Sequence, residues 1–104
     1  MKKEGERILA RIRPDDHVIA MAIGGKSYTS EEFSKSLCVL RDNSEKRVVF
    51  VIGGSLGLHA DVIARSNSQI SLSKMTFPHR LARVILLEQI YRGFKIDAGE
   101  PYHK

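Results

Sequence analysis

Short apolar runs, two of them ending in paired glycines, alternate along this chain with amphipathic segments, and this alternation constrains the fold more than any other feature. Residues 17–23 and 47–52 are almost wholly apolar, which is typical of strands buried on both faces. Residues 68–75 form a third strand-like run. Because strands that alternate with helices favour a parallel sheet, the sequence predicts an α/β fold in which helices flank a parallel sheet.

The segments between the strands have apolar residues at helical spacing. The second predicted helix has the clearest start, since Thr29 and Glu32 are spaced as a capping box and Tyr28 and Phe33 as a hydrophobic staple. The tail, 97–104, is expected to be mobile unless another part of the protein holds it. The predicted helices cover 5–13, 29–40, 58–66 and 79–94, and the last is apolar on more than one face.

Length and composition narrow the class of protein. A chain of 104 residues is expected to form one domain, 1–104. Its single cysteine, Cys38, excludes an internal disulfide, and no Cys/His cluster has the spacing of a metal site. The absence of a membrane span and of a signal peptide predicts a cytoplasmic protein without a membrane partner. The formal net charge of +5 favours polyanionic partners such as nucleic acid.

Glycines and polar residues gather where the predicted strands end. Ligands of parallel α/β sheets bind beyond the carboxyl ends of the strands, so the candidate loops are 24–26, 53–57 and 73–79. Glycine lets a ligand lie against the backbone, and Gly57 before a helix would offer free N–H groups to an adenosine or ribose. The spacing GGxxG differs from the dinucleotide pattern GxGxxG, and a tight strand-to-helix turn is the simpler alternative.

For the histidines, Cys38 and three arginines, a purely structural role is an alternative to a functional one. His17 and His59 lie at element edges and are expected to be solvated. His79, in the first turn of a helix, either bonds to the backbone or acts in catalysis. Cys38 lies between apolar residues and is expected to be a packing residue. Three arginines of the last helix either form a solvated or subunit-facing surface or contact RNA: Arg80, Arg83 and Arg92.

Four ordered segments give the chain a family resemblance: IGGSLGLH, LSKMTFPH, LLEQIYRGFKI and the terminal YHK. They resemble the ribosomal RNA large subunit methyltransferase H family, and the similarity extends over essentially the whole chain. The resemblance implies an S-adenosylmethionine-dependent SPOUT-class enzyme that methylates N3 of a pseudouridine in 23S ribosomal RNA, in the large subunit or the assembled ribosome. It also implies a homodimer and a C-terminal trefoil knot, which general rules of chain topology would not predict.

The same resemblance assigns the residues of the site. The methyl donor is expected to contact Met21, Gly53 and the loop formed by Leu72, Ser73, Lys74, Met75, Thr76 and Phe77. Methylating N3 requires loss of a weakly acidic imide proton, so a base or an anion-stabilising cation must lie beside it. The motif matches and this chemistry make Arg92, Tyr102 and His103 the candidate catalytic residues, and the tail that carries the last two could reach the neighbouring subunit's site. No metal is expected.

The chain differs from the family pattern in one respect, at its N-terminus. Members of the family have a strand, a helix and another strand before the segment at which this chain starts, so an N-terminally truncated sheet is expected. A second interpretation is therefore a catalytically inactive remnant that still dimerises and binds RNA. A third is a generic nucleotide-binding α/β protein that prefers ATP or NAD to S-adenosylmethionine.

Overall fold

The computed structural model describes residues 2–43, 46–53 and 58–103. In these ranges the chain forms helices and strands that alternate, which confirms the predicted α/β class. The elements in chain order are α1 (Lys2–Arg11), β1 (His17–Ser27), α2 (Ser30–Asn43), β2 (Val48–Ile52), α3 (Ala60–Arg65), β3 (Ser68–Ser71) and α4 (His79–Asp97). None of the helices in the described ranges is long and apolar enough to cross a membrane.

The sheet is parallel, as predicted, and β1 is its central strand. The described strands lie in the order β2-β1-β3. On one side of β1, His17 pairs with Val48 and Met21 with Ile52. On the other side, Ile19 pairs with Ser68. Because the three strands run in the same direction, their carboxyl ends meet at one edge of the sheet.

Helices cover both faces of the sheet because successive side chains of β1 point in opposite directions. Val18 points to one face and packs with Val51 and with Val62 of α3. Ile19 points to the other and packs in a cluster with residues of α2, β3 and α4. The buried members of that second cluster are Ile19, Phe33, Leu37, Ile70 and Leu86.

The predicted end of β1 at its paired glycines is wrong, because the strand continues to Ser27. A Cβ atom on Gly25 would lie 2.7 Å from the backbone carbon of Gln69 in β3. Glycine therefore permits a close approach between two backbones here, and the strand does not need to turn away. The pairing of β1 with β3 changes register between Met21 and Lys26.

The third strand ends at Ser71, four residues before its predicted end. Ser71 Oγ donates a hydrogen bond to the carbonyl of Ser73 (2.9 Å), and the N–H of Met75 donates to Ser73 Oγ (3.0 Å). These local bonds compete with strand pairing and turn the chain. The segment predicted as the end of a strand is therefore a loop beyond the sheet.

The start of α2 is confirmed in detail. The N–H of Thr29 donates to Glu32 Oε1 (2.8 Å), and the N–H of Glu32 donates to Thr29 Oγ1 (3.1 Å), which are the two bonds of a capping box. The other end of α2 lies beyond the predicted residue 40, at Asn43. Further along, Ser34 Oγ donates to the carbonyl of Gly93 (2.6 Å), so α2 lies against α4 where α4 lacks a side chain.

A buried carboxylate fixes the chain where it enters the sheet. The side chain of Asp16 is 1% exposed, and it accepts hydrogen bonds from Arg47 Nη2 (2.7 Å) and from the backbone N–H of Arg13 (2.8 Å). The bond from Arg47 is the main cause that lowers the pKa of Asp16 below its ordinary value. The amino-terminal ends of β1 and β2 are thereby joined through one charged pair.

We expect Asp16→Asn to lower the melting temperature at pH 7. A carboxyl group whose pKa is lowered by folding stabilises the folded state above its unfolded pKa, about 4 for Asp, and this contribution is lost as the pH falls through the folded pKa. Thermal unfolding of wild type and variant between pH 7 and pH 2 should therefore show a difference that shrinks below about pH 4. Asp15→Asn, at the exposed neighbouring residue, is the matched control. An equal effect of both substitutions would contradict this role of Asp16.

Candidate functional site

A cavity of about 120 Å³ lies at the carboxyl ends of the three strands. We call it the strand-end cavity. Its wall combines residues that follow β2 and β3 with residues inside the long strand β1. Five of the eight residues assigned to the methyl donor line it: Met21, Gly53, Leu72, Thr76 and Phe77. The structure therefore brings together residues that are more than fifty positions apart in the sequence.

The other three assigned residues shape the third loop and do not line the strand-end cavity. Ser73 forms the turn that ends β3 through its carbonyl and hydroxyl oxygens. Lys74 is exposed, and Met75 is 72% exposed. Of the six assigned residues of the third loop, Leu72, Thr76 and Phe77 are therefore the three that line the cavity.

The strand-end cavity suits part of S-adenosylmethionine. Met21, Leu72 and Phe77 supply an apolar surface for the flat face of an adenine, and Gly53 leaves room because it has no side chain. The described volume of about 120 Å³ is of the size of one ring system. Residues 54–57, which include Gly57 and its expected N–H groups, lie outside the described residues.

The C-terminal tail turns back against α4. Gly99 has a left-handed backbone conformation (φ 72°). Its N–H donates to the carbonyl of Ile96, and the N–H of Glu100 donates to the carbonyl of Lys95, each at 3.0 Å, which is the pattern of a Schellman motif. The tail is thus held by the helix that it follows. The sequence analysis expected a mobile tail unless another part of the protein held it, and α4 does so.

Glu88 is the centre of a polar cluster that holds the tail. Its Oε2 accepts hydrogen bonds from Arg92 Nε (3.2 Å) and from the hydroxyl of Tyr102 (2.9 Å), and Arg92 Nη2 lies 3.0 Å from the same oxygen as an ion pair. The guanidinium of Arg92 also lies over the ring of Tyr102, 4.9 Å from its centre. The bond from Arg92 is the main cause that lowers the pKa of Glu88, and the bond to Glu88 is the main cause that raises the pKa of Tyr102.

His103 completes this cluster and links it to α2. We call Glu31, Glu88, Arg92, Tyr102 and His103 together the C-terminal cluster. Its Nδ1 lies 3.0 Å from Arg92 Nη1, and its Nε2 is hydrogen-bonded to Glu31 Oε1. Arginine can only donate, so Nδ1 accepts, and Nε2 carries the proton that is donated to Glu31. This geometry assigns the neutral Nε2–H form of His103. The bond from His103 is the main cause that lowers the pKa of Glu31.

The structure thus brings together the three candidate catalytic residues, Arg92, Tyr102 and His103, and adds two carboxylates that the sequence analysis did not single out. The spacing of Glu88 and Arg92, four residues apart on a helix, is a sequence signal for an ion pair. No sequence pattern pointed to Glu31, which lies 72 positions from His103.

The remaining histidines and Cys38 have structural surroundings. His59 was expected to be solvated, but its Nδ1 accepts a hydrogen bond from the N–H of Asp61 and caps α3. His17 opens β1, and the exposed His79 opens α4 on the wall of the strand-end cavity. Cys38 is buried, which raises its pKa, and this confirms a packing residue. Within the described ranges, no group of three or more His, Cys, Asp or Glu could hold a metal ion.

Replacing the central carboxylate of the C-terminal cluster tests what holds the tail. Glu88→Gln removes the charge that binds Arg92 and Tyr102, so we expect amide hydrogen exchange at Gly99 and Glu100, whose N–H groups form the turn, to become faster by roughly tenfold or more. The same measurement on Glu6→Gln, at an exposed residue of α1, is the control. Unchanged protection of the tail in Glu88→Gln would show that the Schellman turn alone holds it.

Comparisons with known proteins identify the family of the chain. Three similar proteins are called ribosomal RNA large subunit methyltransferase H, from Exiguobacterium sp. (58% identical), Bacillus cereus (59%) and Bacillus cytotoxicus (57%). Each similarity covers 99% of this chain and 65% of the relative, so the chain spans less than two thirds of the length of these relatives. The family described as predicted SPOUT methyltransferase matches residues 1–103. The chain therefore belongs to the SPOUT methyltransferase family.

Proposed function

We propose that this chain transfers a methyl group from S-adenosylmethionine to N3 of a pseudouridine in 23S ribosomal RNA. The observation that carries the proposal is the strand-end cavity, where three strands bring five of the assigned donor residues to one place. The names of the similar proteins support ribosomal RNA as the substrate. A cytoplasmic location follows from this substrate.

The donor would be held by the walls of the strand-end cavity. Leu72 and Phe77 would contact the adenine, and Met21 and Gly53 would line the opposite side. When bound, S-adenosylmethionine supplies an activated methyl group, and the carbon–sulfur bond breaks with its electron pair on sulfur as N3 binds the methyl carbon. The protein contributes chiefly the position of the two reactants, because such a displacement needs no covalent help.

The C-terminal cluster would assist loss of the N3 proton. Arg92 carries a permanent positive charge that Glu88 offsets in this arrangement, so it would stabilise an anionic base only when Glu88 turns away. Tyr102 keeps its proton, since its pKa is raised, and can donate a hydrogen bond. The Nδ1 lone pair of His103 is engaged by Arg92, so His103 can act as a base only after the tail moves away from Arg92.

The net charge supports binding to RNA. The protein carries a formal charge of +5, and Arg80 and Arg83 are exposed on α4 near the strand ends. Such cations contact phosphate groups and make affinity depend on salt. The substrate we propose is the large subunit or the assembled ribosome.

The donor site can be tested with two matched glycine substitutions. We expect Gly53→Val to abolish detectable S-adenosylmethionine binding in isothermal titration, because Gly53 lines the strand-end cavity and an added side chain would compete with the donor for space. Gly24→Val is the control, since an added Cβ at Gly24 meets no atom within 4 Å. Wild-type affinity in Gly53→Val would refute this placement of the donor.

Methyl incorporation into ribosomes that lack the modification then tests the reaction itself. Incorporation that depends on Gly53 would establish the enzyme. Salt-dependent RNA binding without incorporation would instead favour the inactive remnant, and a preference for ATP or NAD would favour a general nucleotide-binding protein.

We also propose that the protein is a homodimer with the trefoil knot of its class. An apolar stripe along one face of α4 supports the dimer, because its side chains are exposed to solvent. The stripe consists of Leu81, Val84, Leu87, Tyr91 and Phe94, of which Val84 is 62% exposed.

A charge in the middle of this stripe should break the dimer. We expect Val84→Glu to weaken self-association by roughly 100-fold or more, since dimerisation would bury an unpaired carboxylate. Light scattering across a dilution series measures the change. Val39→Glu, at an exposed valine of α2, is the control. Dimers of wild-type strength in Val84→Glu would exclude this face as the interface.

A further inference from the structure

A second cavity, of about 210 Å³, lies beside the strand-end cavity, where β1, β3, α2 and α4 meet. We call it the inner cavity. Met21 and Leu72 line both cavities. Molecules bound in the inner and strand-end cavities would therefore both contact Met21 and Leu72.

The lining of the inner cavity suits a single heteroaromatic ring. Tyr28, Phe33 and Leu86 supply aromatic and aliphatic surface, and Ser71 and Gln89 add hydrogen-bonding groups. Sites for drug-sized ligands measure about 300–1,000 Å³, so this volume is too small for a whole nucleotide. Stacking and a few hydrogen bonds are the means by which enzymes hold a nucleobase that has left its helix.

The side-chain amide of Gln89 has a fixed orientation. Its Nε2 donates to Glu88 Oε1 (2.9 Å), and its Oε1 accepts from Ser30 Oγ (2.7 Å). Glu88 is held ionised by Arg92 and Tyr102 and can only accept, so the nitrogen must face Glu88. An amide has two hydrogens and two lone pairs, and these two partners use one of each. One donor and one acceptor therefore remain for a ligand.

We propose that the inner cavity receives the target pseudouridine base and that Gln89 recognises its N1–H and C2=O groups. The inference rests on the proposed function and names the substrate site next to the donor. Pseudouridine is bonded to ribose through carbon, so its N1 carries a hydrogen that Gln89 Oε1 can accept. The second hydrogen of Nε2 would bind the O2 atom, as in other bidentate contacts between amides and bases.

This binding mode predicts a preference for pseudouridine over uridine. In uridine, N1 is bonded to ribose, so only the edge that contains N3 can offer an adjacent donor and acceptor. The amide would then cover the atom that receives the methyl group. In pseudouridine, the amide binds the N1 edge and leaves N3 without a bond to Gln89.

Binding of free nucleosides tests the site without any reaction. In saturation-transfer NMR, pseudouridine should show contact with the protein, and Gln89→Met should reduce this signal by roughly tenfold, because methionine keeps the size and loses the hydrogen bonds. Gln69→Met, at an exposed glutamine of β3, should leave the signal unchanged. Equal signals from wild type and Gln89→Met would overturn the proposal.

Methyl transfer gives a second readout on ribosomes that carry either pseudouridine or uridine at the target position. We expect Gln89→Met to lower kcat/KM for pseudouridine roughly 10- to 100-fold, to remove the preference over uridine, and to leave S-adenosylmethionine affinity unchanged. Weaker donor binding in Gln89→Met would assign the inner cavity to the donor and overturn the inference. An equal loss with both ribosomes would assign Gln89 a structural role and also overturn it.

The two experiments separate this inference from the proposed function. Gln89-dependent binding of pseudouridine by a protein that transfers no methyl group would uphold the site and refute the enzyme. Methyl transfer at the wild-type rate by Gln89→Met would uphold the enzyme and refute the site.

Discussion

Parallel pairing of β1 on both of its sides is the constraint on which the rest of the structure depends. It places the carboxyl ends of all three described strands at one edge, and each connection must cross a face of the sheet. The helices that make these crossings bury Val18 on one face and Ile19 on the other. The cavities at the strand ends are therefore a consequence of strand direction as well as of the side chains that line them.

Features that depend on local spacing could be predicted from the sequence. The capping bonds of Thr29 and Glu32, the apolar face of α2 and the order of strands and helices follow from periodicity and turn chemistry. The ends of β1 and β3 could not be predicted in this way. Each depends on a contact specific to the folded chain: the backbone of Gly25 against β3, and the hydroxyl of Ser73.

Some residues of the candidate site could likewise be identified from the sequence, and others depend on tertiary packing. Family motifs identified Arg92, Tyr102 and His103, but Glu31 meets the tail only because α2 and α4 pack where Ser34 bonds to Gly93. Gln89 was also missed, since a glutamine within a helix carries no pattern of its own. Its importance comes from two neighbours, Ser30 and Glu88, which fix its amide. Long-range pairing of this kind is decided by tertiary packing, which periodicity does not describe.

The C-terminal cluster has a charge that differs from that of the protein around it. Two carboxylates, Glu31 and Glu88, face a single guanidinium, and His103 is neutral, so this part of a basic protein is locally negative. A phosphate group would be repelled there, whereas an uncharged base would not. For the RNA substrate that we propose, this local charge would favour an orientation in which the RNA backbone lies away from the tail. The ammonium of Lys26 lies 5.1 Å over the ring of Tyr28, a residue that lines the inner cavity, and is a cation that the proposed RNA backbone would contact.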